Sequence, residues 1–263
     1  MNFIETETSN NVTYIRFNRP EIHNAFNPVM IQQLTKIFEE LKNRSDVRAI
    51  ILTGNGRSFS AGADVNWMRS TKDFTYEQNL EDAKELEKMF NTISKCPKPV
   101  IGRVNGHAFG GGVGLISTCD VAIAVERAKF GITEVNLGII PAVISTYILP
   151  KLGLGNAFRY FITGEHFNAQ TAKEIGLINQ VVPDIESLDI TIMDVIANIY
   201  ASSPKSIAAA KQLLQKYRTL ELSAYRNYCI EEIAKIRTSE EGREGLTAFL
   251  EKRLPSWNIK PEK

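Results

Sequence analysis

Two hydrophobic periods alternate along the chain, and each change of period marks an element. Apolar and polar residues alternate through Phe3–Glu7 and again through Val12–Phe17, with Ser9-Asn10-Asn11 between them. Period two on both sides of a turn-forming cluster predicts a β-hairpin. From Pro28 onward Val29, Met30, Leu34, Ile37, Phe38 and Leu41 fall three and four apart, behind Asn27 as a cap and Pro28 as a first-turn proline. That spacing predicts an amphipathic helix. Arg48–Thr53 is a short apolar run stopped by Gly54-Asn55-Gly56, as expected of a strand buried on both faces. A helix near Glu77–Ser94 follows, then a strand over Pro99–Val104 that enters the glycine cluster Gly106–Gly114, a strand over Asp120–Val125, and further turns, strands and helices to Val182. Strands alternating with helices predict an α/β core with a parallel component. From about Ser187 to Leu250 the period is helical, with turn signals at Ser203-Pro204 and Thr238-Ser239-Glu240. The chain therefore divides into an α/β core, 1–186, and a helical segment, 187–263, with no long Pro/Gly/Ser linker, fixed-period repeat or low-complexity tract.

With 263 residues, 43% of them apolar, the chain can bury a sizeable core unaided. Its 31 Lys and Arg stand against 30 Asp and Glu, so no net field gathers nucleic acid or an anionic membrane, and any anion must be bound locally. The most apolar stretch, Leu137–Pro150, is interrupted by Pro141 and falls short of the ~20 residues a bilayer requires. The acidic start, Met1–Glu7, has no basic region followed by an apolar run, so no secretory or transit signal is expected. Cys96, Cys119 and Cys229 suit neither a disulfide framework nor a zinc pair, and a reducing cytoplasm is the expected home. His23, His107 and His166 are too few for a multi-histidine metal site, and H-E-x-x-H is absent. No G-x-S-x-G elbow or phosphate-binding lysine loop occurs, and Phe59 and Leu115 stand where a dinucleotide fingerprint needs its last glycine.

Two segments remain as candidate chemistry: Ser58-Phe59-Ser60-Ala61-Gly62-Ala63-Asp64 and Asn105-Gly106-His107-Ala108-Phe109-Gly110-Gly111-Gly112, each directly after a strand. Small residues admit a ligand to the main chain, and the first turn of a helix has N–H groups without internal partners. Two such turns facing each other can clamp one developing oxyanion. The same glycines equally suit tight strand-to-helix turns or close packing.

Asn18-Arg19-Pro20, Asn24-Ala25-Phe26, Phe59–Asp64, Gly106–Gly112 and Cys119-Asp120, in this order and spacing, resemble the enoyl-CoA hydratase/isomerase (crotonase) family. The similarity continues through Phe130–Pro141, Thr163-Gly164, Ala169–Leu177 and Val182-Pro183, most of the chain. The resemblance implies a spiral of β-β-α units holding an acyl-CoA thioester, C-terminal helices that build subunit contacts, and trimers that commonly pair into hexamers. It implies that the Ala63 and Gly111 amides bind the thioester oxygen, that Gly110 belongs to the same turn, and that segments matching Ile22–Ala25 and Ala61–Val65, with Gly62 and Asp64, line the CoA arm. No cofactor is implied beyond the coenzyme A of the substrate itself. Its phosphates need local cations, with Lys252 and Arg253 of a neighbouring chain as candidates.

Hydratases of the family usually place one glutamate at the position matching Gly114 and another at that matching Glu134; here only Glu134 is present. Glu134 lies among Phe130, Ile132, Val135 and Leu137, and burial there would raise its pKa toward the range useful for proton transfer. A glutamate also suits the first turn of a helix. One carboxyl can serve hydration of a 2-enoyl-CoA or migration of a double bond from a 3-enoyl-CoA, and a non-catalytic acyl-CoA-binding protein is a third reading. Asp64-Val65-Asn66-Trp67-Met68 and Glu134–Ser145, with Pro141 followed by Ala-Val-Ile-Ser, are similar to a subgroup acting on branched or carboxylated enoyl-CoAs, including methylglutaconyl-CoA hydratase of leucine breakdown. That likeness implies a branched, methylglutaconyl-type substrate with Trp67 and Met68 shaping the acyl pocket. Both side chains also suit ordinary packing.

Overall fold

The hairpin forms as its alternation requires. In the computed structural model, which describes residues 3–258, β1 (Ile4–Ser9) and β2 (Val12–Phe17) pair antiparallel. Asn10 and Asn11 make the turn with φ of 46° and 60°, the left-handed pair that matches the twist of a two-residue hairpin. α1 (Pro28–Leu41) starts on Asn27, whose side chain accepts the Met30 amide hydrogen, and buries Met30, Ile31, Leu34 and Phe38. β3 (Ala49–Gly54) is buried at every residue.

The next elements fall into units. β3 is followed by β4 (Ser58–Ser60), α2 (Val65–Thr71) and α3 (Tyr76–Ser94). β5 (Val100–Val104) is followed by β6 (His107–Phe109) and α4 (Gly111–Thr118). β7 (Val121–Val125) is followed by β8 (Lys129–Gly131), a short 3-10 helix Glu134–Leu137, and α5 (Ala142–Thr163), which breaks at Gly153. β9 (His166–Asn168), α6 (Ala169–Glu174) and β10 (Gln180–Val182) close the core. The long strands form one sheet in the order β1-β2-β3-β5-β7-β10, parallel except for β1, and the short ones a second sheet, β4-β6-β8-β9, parallel except for β9. Each turn of the chain thus lays one strand in each sheet and then a helix, the β-β-α spiral that the resemblance implies.

Four helices follow, α7 (Ile185–Ala201), α8 (Pro204–Tyr217), α9 (Leu222–Thr238) and α10 (Glu240–Leu250). Ser203 caps α8 and Ser239 caps α10, as the turn signals predict, whereas the break between α8 and α9 carries no such signal. The Arg48 guanidinium ties this segment to the sheet, donating to Ile199 O, Ser202 O and Trp257 O at 3.2, 2.8 and 3.0 Å. Among the described residues no helix is long and apolar enough to cross a membrane. Met1, Asn2 and 259–263, the ends of the two expected units, lie outside the described residues.

Candidate active site

The first small-residue turn leaves β4 and is pinned from both sides. Ala61 N–H donates to His23 O at 2.9 Å, Phe26 N–H to Gly62 O at 2.8 Å, and Asp64 N–H to Phe26 O at 2.9 Å. Among the described residues the intervening Ala63 N–H has no acceptor. Gly62 sits at φ +84°, where a side chain is strained, and a Cβ there would lie 2.7 Å from Phe109 O and 3.2 Å from Gly111 N. Only glycine lets the first turn press this closely on the second.

The second turn joins β6 to α4. Gly110 N–H donates to Gly131 O, and Gly110 O accepts from Val113 and Gly114. Gly111 is the first residue of α4, and its N–H has no acceptor among the described residues. At the far end of α4, Lys151 Nζ donates to Cys119 O at 2.8 Å. A cation at the C-terminal carbonyls and free amides at the N-terminus both follow the helix dipole.

Glu134 opens the 3-10 helix after β8, so the helix-starting and the buried readings both hold in part. One carboxyl oxygen, Oε1, lies 3.0 Å from the place a Gly110 Cβ would take, and the other, Oε2, is buried with no hydrogen-bond partner among the described residues. Burial raises its pKa from the ordinary 4.5 against a smaller backbone hydrogen-bond effect. A carboxyl held in this way binds a proton more strongly than one in water.

The space beside Gly114 is filled. A Cβ there would lie 2.5 Å from Ile144 Cγ2 and 3.1 Å from Phe90 Cε1. Aliphatic and aromatic carbon from α5 and α3 therefore occupies the place of the usual first glutamate.

A cavity of about 340 Å³ opens onto these groups, with Ala63, Gly111 and Glu134 in its wall. Of the other expected residues, Ala61, Trp67, Met68, Gly110 and Pro141 line it. Pro141 continues into Ala142, Val143 and Ile144, so the subgroup-like segment supplies a whole stretch of wall.

Six expected positions stand apart from the cavity. Gly62 and Gly114 are buried behind its wall, Ala25 is buried with its carbonyl bound to Arg19, and Ile22 is half-buried. Val65 is exposed on the first turn of α2. Asp64, expected along the CoA arm, is buried, caps α2 through the Asn66 amide at 2.7 Å and pairs with Arg19 at 2.7 Å. Burial works to raise its pKa, but the hydrogen bonds from Asn66 and Arg19 outweigh it and hold the carboxyl below its ordinary value. The Arg253 side chain is likewise engaged by its own chain, with Glu244 and Glu251 each at 2.7 Å.

Sequence reasoning missed Phe26, Thr71, Asn79, Asp82 and Leu86, which also line the cavity. The α3 residues could have been found by extending its apolar stripe, Leu86-Met89-Phe90, one turn back. Burial raises the Asp82 pKa. The Trp67 indole N–H opposes that shift to a smaller extent.

The pattern of the enoyl-CoA hydratase/isomerase family matches residues 7–260. The fold superposes on the crystal structure of an enoyl-CoA hydratase from Shewanella pealeana with a TM-score of 0.92 and 41% identity, covering 97% of this chain and 96% of that one. The short-chain-enoyl-CoA hydratase of Clostridium acetobutylicum is 32% identical over 259 residues, 96% of each chain. The 2,3-dehydroadipyl-CoA hydratase of Escherichia coli is 32% identical over 247 residues, 94% of each.

Proposed function

The chain belongs to the enoyl-CoA hydratase/isomerase family, and from that premise we propose that it adds water to a branched 2-enoyl-CoA. Glu134 serves as the acid/base, and the Ala63 and Gly111 amides form the oxyanion hole. The observation that carries the reading is the convergence of two unpartnered amides and one buried, unpartnered carboxyl oxygen on a single cavity. Trp67, Met68 and the Pro141–Ile144 wall support a branched acyl group.

The proton and electron movements close on one carboxyl. Ionised Glu134 takes a proton from water as the oxygen bonds to Cβ. The π pair shifts through Cα to the thioester oxygen, where the two amides hold the enolate charge. That charge exists only on the way to product, so fixed donors lower the barrier selectively. The enolate then collapses, and Glu134 returns the proton to Cα. The raised proton affinity of Glu134 suits this second half. No cofactor enters beyond the CoA of the substrate.

The filled space beside Gly114 favours a second reading, migration of a 3-enoyl double bond by the same carboxyl. Mass spectrometry on a panel of 2- and 3-enoyl-CoAs in deuterated water separates the two. A product heavier by one water supports hydration, while an unchanged skeleton with a moved double bond and solvent deuterium overturns it.

We further assign the active form to a trimer or a dimer of trimers in the cytoplasm. Exposed apolar side chains on α10 and α5 support the assembly, Phe249 at 81% and Phe158 at 67% exposure. Three free thiols, Cys96, Cys119 and Cys229, suit a reducing compartment.

A further inference from the structure

The cavity wall contributed by α2 and α3 is polar in a way the proposed reaction does not use. Thr71, Asn79 and Asp82 line it. Thr71 Oγ1 donates to Met68 O at 3.0 Å, and Asn79 Nδ2 donates to Phe74 O and Thr75 O at 3.2 and 3.0 Å. These two side chains are turned to their own helix ends. No described Lys or Arg acts on the Asp82 carboxyl, the rise in whose pKa is opposed by the Trp67 indole N–H alone, and that buried Nε1 has no other hydrogen-bond partner among the described residues. Among the described residues that line the cavity, none is Lys, Arg or His, and the acids are Asp82 and Glu134.

Position along α3 separates the two acids. Phe90 packs beside Gly114, next to the reacting carbons in the proposed mechanism. At about 1.5 Å per residue, Asp82 lies roughly 12 Å farther along the same helix. It therefore lines the cavity away from the groups that handle the double bond in the proposed mechanism.

We propose that Asp82 sets the acyl specificity, turning away acyl chains that end in a carboxylate and leaving the site to uncharged 2-enoyl groups. The inference rests on the hydratase reading and narrows it: a methylcrotonyl-type acyl group fits, and the methylglutaconyl type does not. An acyl carboxylate would enter a partly dehydrated wall that already holds one acid and, among the described residues that line it, offers no cation. Like charges brought together there repel, and the Trp67 indole N–H carries no full positive charge to offset them. Burial, which raises the Asp82 pKa, disfavours a second carboxylate at this wall in the same way. An uncharged tail meets neither penalty and packs on Leu86, Met68 and Ile140.

The test compares kcat and KM for methylcrotonyl-CoA and methylglutaconyl-CoA in the wild type, Asp82→Asn and Asp82→Leu. Binding of the unreactive butyryl-CoA and glutaryl-CoA is measured in parallel. The wild type is expected to favour methylcrotonyl-CoA by ~100-fold or more in kcat/KM, the consequence of like-charge juxtaposition, with most of it in KM. Both variants should narrow that ratio by at least ~10-fold by lowering the methylglutaconyl KM. Equal use of the two substrates by the wild type, or a ratio unmoved in folded variants, overturns the proposal. If no enoyl-CoA is turned over, the hydratase reading fails, while the butyryl-to-glutaryl binding ratio and its response to Asp82→Asn still decide the role of Asp82.

Discussion

Replacing Glu134 by Gln keeps the shape of the side chain and removes the proton carrier. General acid–base catalysis by one positioned group is worth ~10²–10⁴-fold, about 3 to 5 kcal/mol of barrier. The upper end applies here, because the space where a second carboxylate would stand is filled by Ile144 and Phe90, leaving one carboxyl for both proton transfers. Stability should move the other way. Burial raises the folded-state pKa of Glu134 above 4.5, so the native state binds more protons than the unfolded chain between those two values. Stability is then lost as pH rises through that window, and at neutral pH ionised Glu134 opposes folding. Glu134→Gln removes this cost and the pH dependence with it. Steady-state assays should show kcat down by ~10³-fold or more, and thermal melts at pH 7 should show Tm unchanged or higher. The wild-type rate should climb with an apparent pKa above 4.5 as the base ionises. Turnover within a few-fold of wild type would remove Glu134 from the chemistry, and a fall in Tm parallel to the lost activity would make its role structural.

Gly114→Glu, which restores the usual first glutamate in sequence, should fail in structure. Its Cβ would meet Ile144 Cγ2 at 2.5 Å, and overpacking of this kind costs about 1–3 kcal/mol before any charge is buried, so Tm should fall and Ile144→Ala in the same chain should recover part of it. Asp64→Asn breaks an ion pair whose side chains are 12% and 6% exposed, a loss of about 3–5 kcal/mol that denaturant titration reads, while KM for the CoA ester stays unchanged in the folded fraction. Burial pushes the Cys119 thiol up to about 12 and Cys96 is also buried, so iodoacetamide at mildly alkaline pH should label Cys229 in the native protein and all three cysteines only after unfolding.

What the sequence made legible was local. Asn27, Ser203 and Ser239 announce their helices because a cap acts within one turn of its own residue. The strands β4, β6, β8 and β9 have three residues each, too few to display a period, and their pairing depends on partners far along the chain. Asp64 reads as part of a ligand-binding run until folding brings Arg19 against it. Asp82 is one polar position among many on α3, and only the packing of that helix on α1, α4 and α5 turns it to the cavity. The facing of the two small-residue turns and the place of Glu134 above them were legible through resemblance, since no spacing rule fixes a contact between Gly62 and Gly111.

Gly114 and Ile144 act as one feature on the proposed mechanism. In a site with two carboxylates, each raises the other's pKa by like-charge repulsion. Here no such neighbour acts on Glu134, and its upward shift comes from burial alone. Ile144, Ile140 and Val143 line the same cavity, so an acyl chain packed against them removes more water from the carboxyl. Occupancy of the pocket then strengthens the proton affinity that the return step to Cα requires, while a poorly filling acyl chain leaves water in place and the carboxyl more acidic. Selectivity for acyl shape should therefore show in kcat as well as in KM. A site whose acid–base balance was set by a second fixed charge would discriminate mainly through binding.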